Sequence, residues 1–251
     1  MVFFLMMITG LVVGSFLNVC IYRLPRGESV VFPPSNCPKC GRRIAADDLI
    51  PLISFLRLRG SCRFCGEKIS PLYPLVELLT GLLFAVMYGY FGLSPVLLKY
   101  LTLGSVLIAV TFIDLEHYLI PDRLVIFALA AGLPLHFWAG DRTTLSALLG
   151  LLTAGGFLLF LAVVSRGGMG GGDIKLAAAT GFYLGWPHGL LAVFLACVLA
   201  GLLGLMLVLA RLKGRKDAIP FGPFIVAGTL AALFRGDELL FWLLNLYGIR
   251  L

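Results

Sequence analysis

The residues of this 251-residue chain whose types and spacing could do chemistry are five carboxylates and four cysteines. The carboxylates are Glu77, Asp114, Glu116, Asp122 and Asp173, each in or beside a long apolar run. A carboxylate near lipid is costly to keep and tends to be functional. Asp114 closes one run in Phe112-Ile113-Asp114-Leu115-Glu116, and Asp173 follows three glycines in Gly170-Gly171-Gly172-Asp173-Ile174-Lys175. Two carboxylates at close range cannot both ionise, so they share a proton. Such a pair activates water for attack on a peptide carbonyl and protonates the leaving nitrogen, with no covalent nucleophile. If folding brings them together, Asp114 and Asp173 are the candidate catalytic pair of an aspartic endopeptidase. Gly170 and Gly172, lacking side chains, would let a substrate backbone approach. Taken singly, Asp173 and Asp122 (in Ile120-Pro121-Asp122) have a plainer reading, as caps of helix starts. Glu77, Glu116 and Lys175 take no definite role, and Lys175 could pair with a carboxylate or face lipid headgroups.

Other chemistries find little support. The glycine run, residues 167–172, lacks the G-x-x-x-x-G-K-[ST] order of a phosphate cradle. A serine protease needs a positioned histidine, and of His117, His136 and His188 the last two fall at the other end of their spans from the carboxylates. No H-E-x-x-H marks a catalytic zinc.

The cysteines form two knuckles, Cys37-Pro38-Lys39-Cys40 and Cys62-Arg63-Phe64-Cys65, separated by 21 residues and each followed by glycine, Gly41 and Gly66. Glycine permits the turn that points backbone amides at thiolate sulfur. Four thiolates so spaced suit a tetrahedral Zn2+. The alternative is two disulfides, which a reducing cytoplasm disfavours. With all four positions filled by cysteine, the site is closed and structural. A loop with so little core would take its folding energy from the metal. Cys20 and Cys197 fall in apolar runs and read as packing residues.

The elements that must position these groups are membrane helices. Hydrophobic residues make up 60% of the chain and charged residues 13%, against about 45–50% and about 25% in soluble domains. Apolar runs long enough to cross a bilayer are read at residues 3–22, 71–91, 95–113, 120–138, 143–164, 167–186, 189–209 and 220–234, with a short apolar tail at 239–246. The expected fold is thus an all-α polytopic membrane protein of about eight transmembrane helices. Residues 1–22 form helix 1, residues 23–70 a small cytoplasmic zinc-knuckle domain with four cysteine ligands, and residues 71–251 helices 2–8 with the protease site. No internal repeat or low-complexity linker is evident. The first run has no basic residues before it, so it reads as an anchor with its N-terminus outside and not as a cleaved signal.

Alternating the spans from that start puts sixteen basic residues inside and four (Lys99, Arg142, Arg235 and Arg250) outside, together all 20 in the chain. This obeys the positive-inside rule and places the cysteine loop and all five carboxylates at the cytoplasmic face. The net charge of +7 is therefore a topology signal. Without a basic helix or stacking platform it does not point to nucleic acid.

In the order of its motifs the chain resembles the bacterial type IV prepilin peptidases, over nearly its whole length. The motifs are Gly14-Ser15-Phe16-Leu17-Asn18-Val19 continuing to Ile21-Tyr22-Arg23-Leu24-Pro25, the paired knuckles, and Pro71-Leu72-Tyr73-Pro74-Leu75-Val76-Glu77. They continue with Ile113-Asp114 through Ile120-Pro121-Asp122, the G-x-G-D at Gly170 to Asp173, and Pro220-Phe221-Gly222-Pro223-Phe224. The resemblance implies an inner-membrane enzyme that cleaves prepilins and pseudopilins after a glycine that ends a basic leader, on the cytoplasmic face. It implies methylation of the new N-terminus by S-adenosylmethionine, Asp114 and Asp173 as the catalytic pair, and Cys37, Cys40, Cys62 and Cys65 as the knuckle of the bifunctional members. No methyl-donor residues are legible. Two other classes fit the same frame: a methyltransferase without peptidase activity, which separated aspartates would favour, and a proton- or ion-coupled transporter using Asp114 and Asp173, against which the one-sided carboxylates argue.

Overall fold

In a membrane every backbone N–H and C=O must be satisfied within its own segment, which makes each long apolar run a helix. The computed structural model describes residues 1–165, 168–212, 214 and 217–246. Arg166, Gly167, Lys213, Arg215, Lys216 and Arg250, used above in the charge balance and the glycine run, lie outside the described residues. The chain divides into two compact units, Met1–Ala109 and Val110–Leu251.

In the first unit, α1 (Val2–Arg23) packs along α3 (Leu72–Phe91). Two glycines of α1 make this possible. A Cβ on Gly10 would come within 2.7 Å of the Gly81 Cα, and one on Gly14 within 2.7 Å of the Glu77 Cα. Small residues at a helix seam let backbones meet where lipid supplies no hydrophobic drive. Asn18 Nδ2 donates to the Tyr73 carbonyl at 3.0 Å. The polar segment between these helices holds 3-10 turns at Leu24–Arg26 and Ala46–Asp48 and a five-residue helix α2 (Ile53–Arg57). Helix α4 (Pro95–His117) begins in this unit and ends in the second.

The second unit is built around α7 (Gly171–Leu184), which packs against α5 (Asp122–Ala139), α6 (Thr144–Val164), α8 (His188–Leu209) and α9 (Gly222–Leu246). Small residues again set the distances. A Cβ on Gly150 of α6 would land on the Gly181 carbonyl of α7, and one on Gly155 would come 2.8 Å from the Ala178 Cβ. The Tyr183 ring takes the space above Gly132, and its buried hydroxyl donates to the Ala128 carbonyl at 2.7 Å. Between α8 and α9, Gly228 sits on the Ala192 carbonyl.

Six of these helices, α1, α3, α4, α5, α6 and α8, are long and apolar enough to cross a membrane among the described residues. The two further spans expected from sequence fall on α7 and α9. Helix α7 has 14 residues, a rise of about 21 Å against a hydrocarbon core of about 30 Å. Helix α9 is broken at Arg235 (φ −133°), so that the apolar tail continues it beyond a kink.

The α6–α7 seam yields a test. Gly150→Leu forces side-chain volume onto the Gly181 carbonyl, and overpacking of this kind costs about 1–3 kcal/mol. The expected outcome is a lower thermal midpoint in detergent. An unchanged midpoint would mean that the seam has slack.

Candidate functional site

Asp114 lies in the last turn of α4, is 4% exposed, and accepts the Gly222 N–H on Oδ2 at 2.7 Å. Asp173 is the third residue of α7, and its backbone N–H donates to the carbonyl of Gly170, the N-cap, at 3.2 Å. Gly170 occupies the N-cap position and no side chain caps this helix start, which corrects the capping expected of Asp173. The two carboxylates, distant in sequence, lie close enough to repel each other.

The glycines around them do separate jobs. A Cβ on Gly172 would come 2.9 Å from the Ile120 Cβ, so Gly172 serves helix packing within the chain. A Cβ on Gly170 would come 3.0 Å from Asp173 Oδ2, whereas Gly171 faces open space. Asp122 corrects an expectation. It is the first residue of α5, beyond the N-cap Pro121, and makes no cap. Both its oxygens instead take Lys175 Nζ at 2.8 Å, an exposed pair that ties the starts of α5 and α7. The histidines stay out of this arrangement: His117 Nε2 lies 4.0 Å from Glu116 Oε1, and His188 Nε2 lies 3.0 Å from Asp237 Oδ1.

The cysteine module is a second site. The four sulfurs of Cys37, Cys40, Cys62 and Cys65 lie within 4.8 Å of one another, and Cys37 Sγ is 3.8 Å from Cys65 Sγ. Zn–S bonds of about 2.3 Å at tetrahedral angles require S···S separations of about 3.8 Å, so the donor set fits zinc. A disulfide would need about 2.05 Å, and all six cysteines are free. The knuckles repeat one hydrogen-bond scheme. Cys37 N–H donates to the Arg42 carbonyl and Gly41 N–H to the Cys37 carbonyl; Cys62 N–H donates to the Glu67 carbonyl and Gly66 N–H to the Cys62 carbonyl. Gly41 (φ 68°) and Gly66 (φ 71°) both take the left-handed turn that favours glycine. The module is thus an internal repeat that the sequence reading missed, although Cys-Gly-x-basic-Ile closes both knuckles, at residues 40–44 and 65–69. The four thiols divide one negative charge unevenly: backbone N–H groups of Cys65 and Phe64 hold the Cys62 thiol down, whereas the neighbouring sulfurs push the Cys65 thiol up.

Asp48, its side chain 5% exposed, joins the segment between the knuckles to the second one. It accepts Arg63 at 2.5 Å and Arg57 at 2.8 Å, and Arg63 holds its carboxyl below the usual range. Glu77, without a role in the sequence reading, receives one here. From α3 it accepts the Leu52 N–H at 2.9 Å and so fastens the loop between the knuckles to a membrane helix. Leu52 (φ 61°, ψ −47°) is the centre of a γ-turn closed by the Ile53 N–H on the Pro51 carbonyl at 2.6 Å, a strained conformation that local sequence does not announce.

Residues 8–91 match the Bacterial Peptidase A24 N-terminal domain, and residues 101–205 match the Type IV leader peptidase family. Among curated proteins, the chain is 39% identical over 245 residues to a prepilin leader peptidase/N-methyltransferase of Bacillus subtilis (strain 168), covering 94% of this chain and 95% of that one. A protein of the same name from Aeromonas hydrophila is 36% identical over 274 residues, covering 97% and 94%. Another from Burkholderia pseudomallei (strain 1026b) is 36% identical over 262 residues, covering 91% and 84%. No solved structure matches the chain. With two family domains matched in order, and relatives this similar along almost the whole length, the chain belongs to the type IV leader peptidase family.

Proposed function

We propose that this multi-pass membrane protein cleaves the leader from prepilins and methylates the new N-terminus, with Asp114 and Asp173 as the peptidase pair. The names of the relatives support both activities. What supports the site assignment is the placement of two carboxylates in one unit, Asp114 buried at the end of α4 and Asp173 in the first turn of α7, with the charge of Asp114 felt at Asp173. Close carboxylates share a proton. The ionised member takes a proton from water, whose oxygen attacks the scissile carbonyl. The protonated member then gives its proton to the leaving nitrogen as the C–N bond breaks. A methyltransferase without peptidase activity would leave the aspartates apart, and a transporter would place its carboxylates near the membrane midplane; neither reading has an observation in its favour.

Several finer assignments belong to the same proposal. The protein spans the bacterial inner membrane eight times, N-terminus outside, with the cysteine module and the aspartates at the cytoplasmic face. The charge balance supports this topology. Helix α7 counts as a span because its neighbours shield it, so it need not match the bilayer alone. The substrates are prepilins and type II secretion pseudopilins with basic leaders. Internal pairs neutralise part of the protein's own positive charge, among them Arg57 and Arg63 with Asp48, Lys39 with Glu67, and Lys175 with Asp122. The mismatch with a basic leader is smaller for it. Gly170 borders Asp173 and the open face of Gly171 gives a substrate backbone room to approach, whereas Gly172, expected to share this role, is taken up by packing on Ile120. Cys37, Cys40, Cys62 and Cys65 hold one structural Zn2+, which when bound supplies folding energy to the loop. S-adenosylmethionine supplies the methyl group; among the described residues there is no β-strand, hence no strand–loop–helix seat for that donor.

Asp114→Asn and Asp173→Asn should each lower prepilin cleavage by at least about 10²-fold, while methylation of a pre-cleaved pilin persists. The assay is cleavage of purified prepilin in detergent with labelled methyl donor. Normal cleavage by both variants would leave the aspartates structural. Separately, the purified protein should carry one zinc per chain. Cys40→Ser or chelation should then open residues 23–70 to protease, and unchanged protection after metal loss would rule out a structural metal.

A further inference from the structure

The late motif Pro220-Phe221-Gly222-Pro223-Phe224 has no part in the chemistry above, yet its glycine touches Asp114. Gly222 is the first residue of α9. A helix start carries backbone donors without partners of their own helix, and here the sequence leaves one of them pointing outward. Pro223 has no N–H. The N–H groups of Phe224 and Ile225 both turn to the Phe221 carbonyl, at 3.0 and 3.2 Å. The Gly222 N–H leaves the helix and reaches Asp114 Oδ2 at 2.7 Å, a short, charge-assisted geometry. The positive end of the α9 macrodipole faces the same oxygen.

The missing side chain matters equally. A Cβ on Gly222 would lie 2.8 Å from Asp114 Oδ2 and 3.2 Å from its Cβ and Cγ. A side chain there and the present position of the Asp114 carboxylate exclude each other. Asp173 also lies against a glycine, its Oδ2 3.0 Å from where a Gly170 Cβ would be. Each aspartate therefore rests over a glycine at a helix start, and Asp114 is in addition bonded by the N–H of its glycine.

We propose that Gly222 is a positioning residue for the peptidase reaction: its N–H orients the Asp114 carboxylate, and its lack of a side chain leaves the volume that carboxylate occupies. The inference rests on Asp114 being a member of the peptidase pair. Moving a reacting group by about 1 Å costs about 10²-fold in rate, and it acts on turnover rather than on substrate binding.

The test compares wild type, Gly222→Ala, Asp114→Asn and a variant in which an ester replaces the Gly222 amide, deleting the donor without adding volume. Each is assayed for kcat and KM of prepilin cleavage and for methylation of a pre-cleaved pilin. The expected result is a fall in cleavage kcat of about 10- to 100-fold for Gly222→Ala and a smaller fall for the ester, with KM and methylation kept. Equal loss of cleavage and methylation would mean that Gly222 is a packing residue, like Gly228 on the same helix, and would overturn the proposal. So would normal kcat in the ester variant, which also decides the matter if Gly222→Ala does not fold. If Asp114→Asn cleaves normally, the catalytic pair itself is wrong. If Asp114→Asn is inactive and both Gly222 variants are normal, only the present inference fails.

Discussion

The second unit depends on keeping one short helix in the middle. Helix α7 reaches about 21 Å and carries eight buried residues within its 14. Alone in lipid it would leave backbone groups at its ends unsatisfied, at several kilocalories per mole each. Its neighbours α5, α6, α8 and α9 remove that penalty by enclosing it. They come near enough because Gly150, Gly155 and Gly181 leave no side chains in the seam, and because Gly132 admits the Tyr183 ring. The Tyr183 hydroxyl then finds an acceptor in the Ala128 carbonyl.

This enclosure sets the conditions at Asp173. A carboxylate in the first turn of an enclosed helix sits near the positive helix end and within reach of its N-cap N–H. Asp114 is in an equivalent state for a different reason: it ends α4, where helix polarity disfavours an acid, and the start of α9 supplies the donor it needs. Two acids with unlike helical positions thereby both come to lie over a glycine at a helix start.

The cysteine module shows a second way of stabilising a polar segment. The loop buries little, so its order comes from repeated turns, a tight set of four sulfurs and the Asp48 pair with Arg57 and Arg63. It is fastened to the membrane helices by Arg23 of α1, which donates to the Ser29 carbonyl at 2.9 Å, and by a hydrogen bond from a strained backbone, Leu52 N–H to Glu77. Removing the acceptor would leave a partly buried donor without a partner, at about 1–3 kcal/mol. Glu77, a carboxylate near lipid, thus has a structural role where position alone suggested chemistry.

Much of this protein was legible before folding. Apolar runs must become helices wherever water is absent, so the six long ones are visible in composition alone. The cysteine spacing with Gly41 and Gly66 implies a four-sulfur site, because chain geometry at a knuckle is local. Asp114 and Asp173 stood out because carboxylates beside apolar runs are costly. Other features depend on contacts between distant residues, and no local rule carries them. The Asp122–Lys175 pair in place of a cap, the packing role of Gly172, the approach of Asp173 to Gly170 and the Gly222 N–H on Asp114 are all of this kind. The hydrophobic pattern says that a segment is a helix. Which of its backbone donors and glycine faces meets a carboxylate is decided only when helices close to within a van der Waals diameter, and that is a property of the tertiary structure.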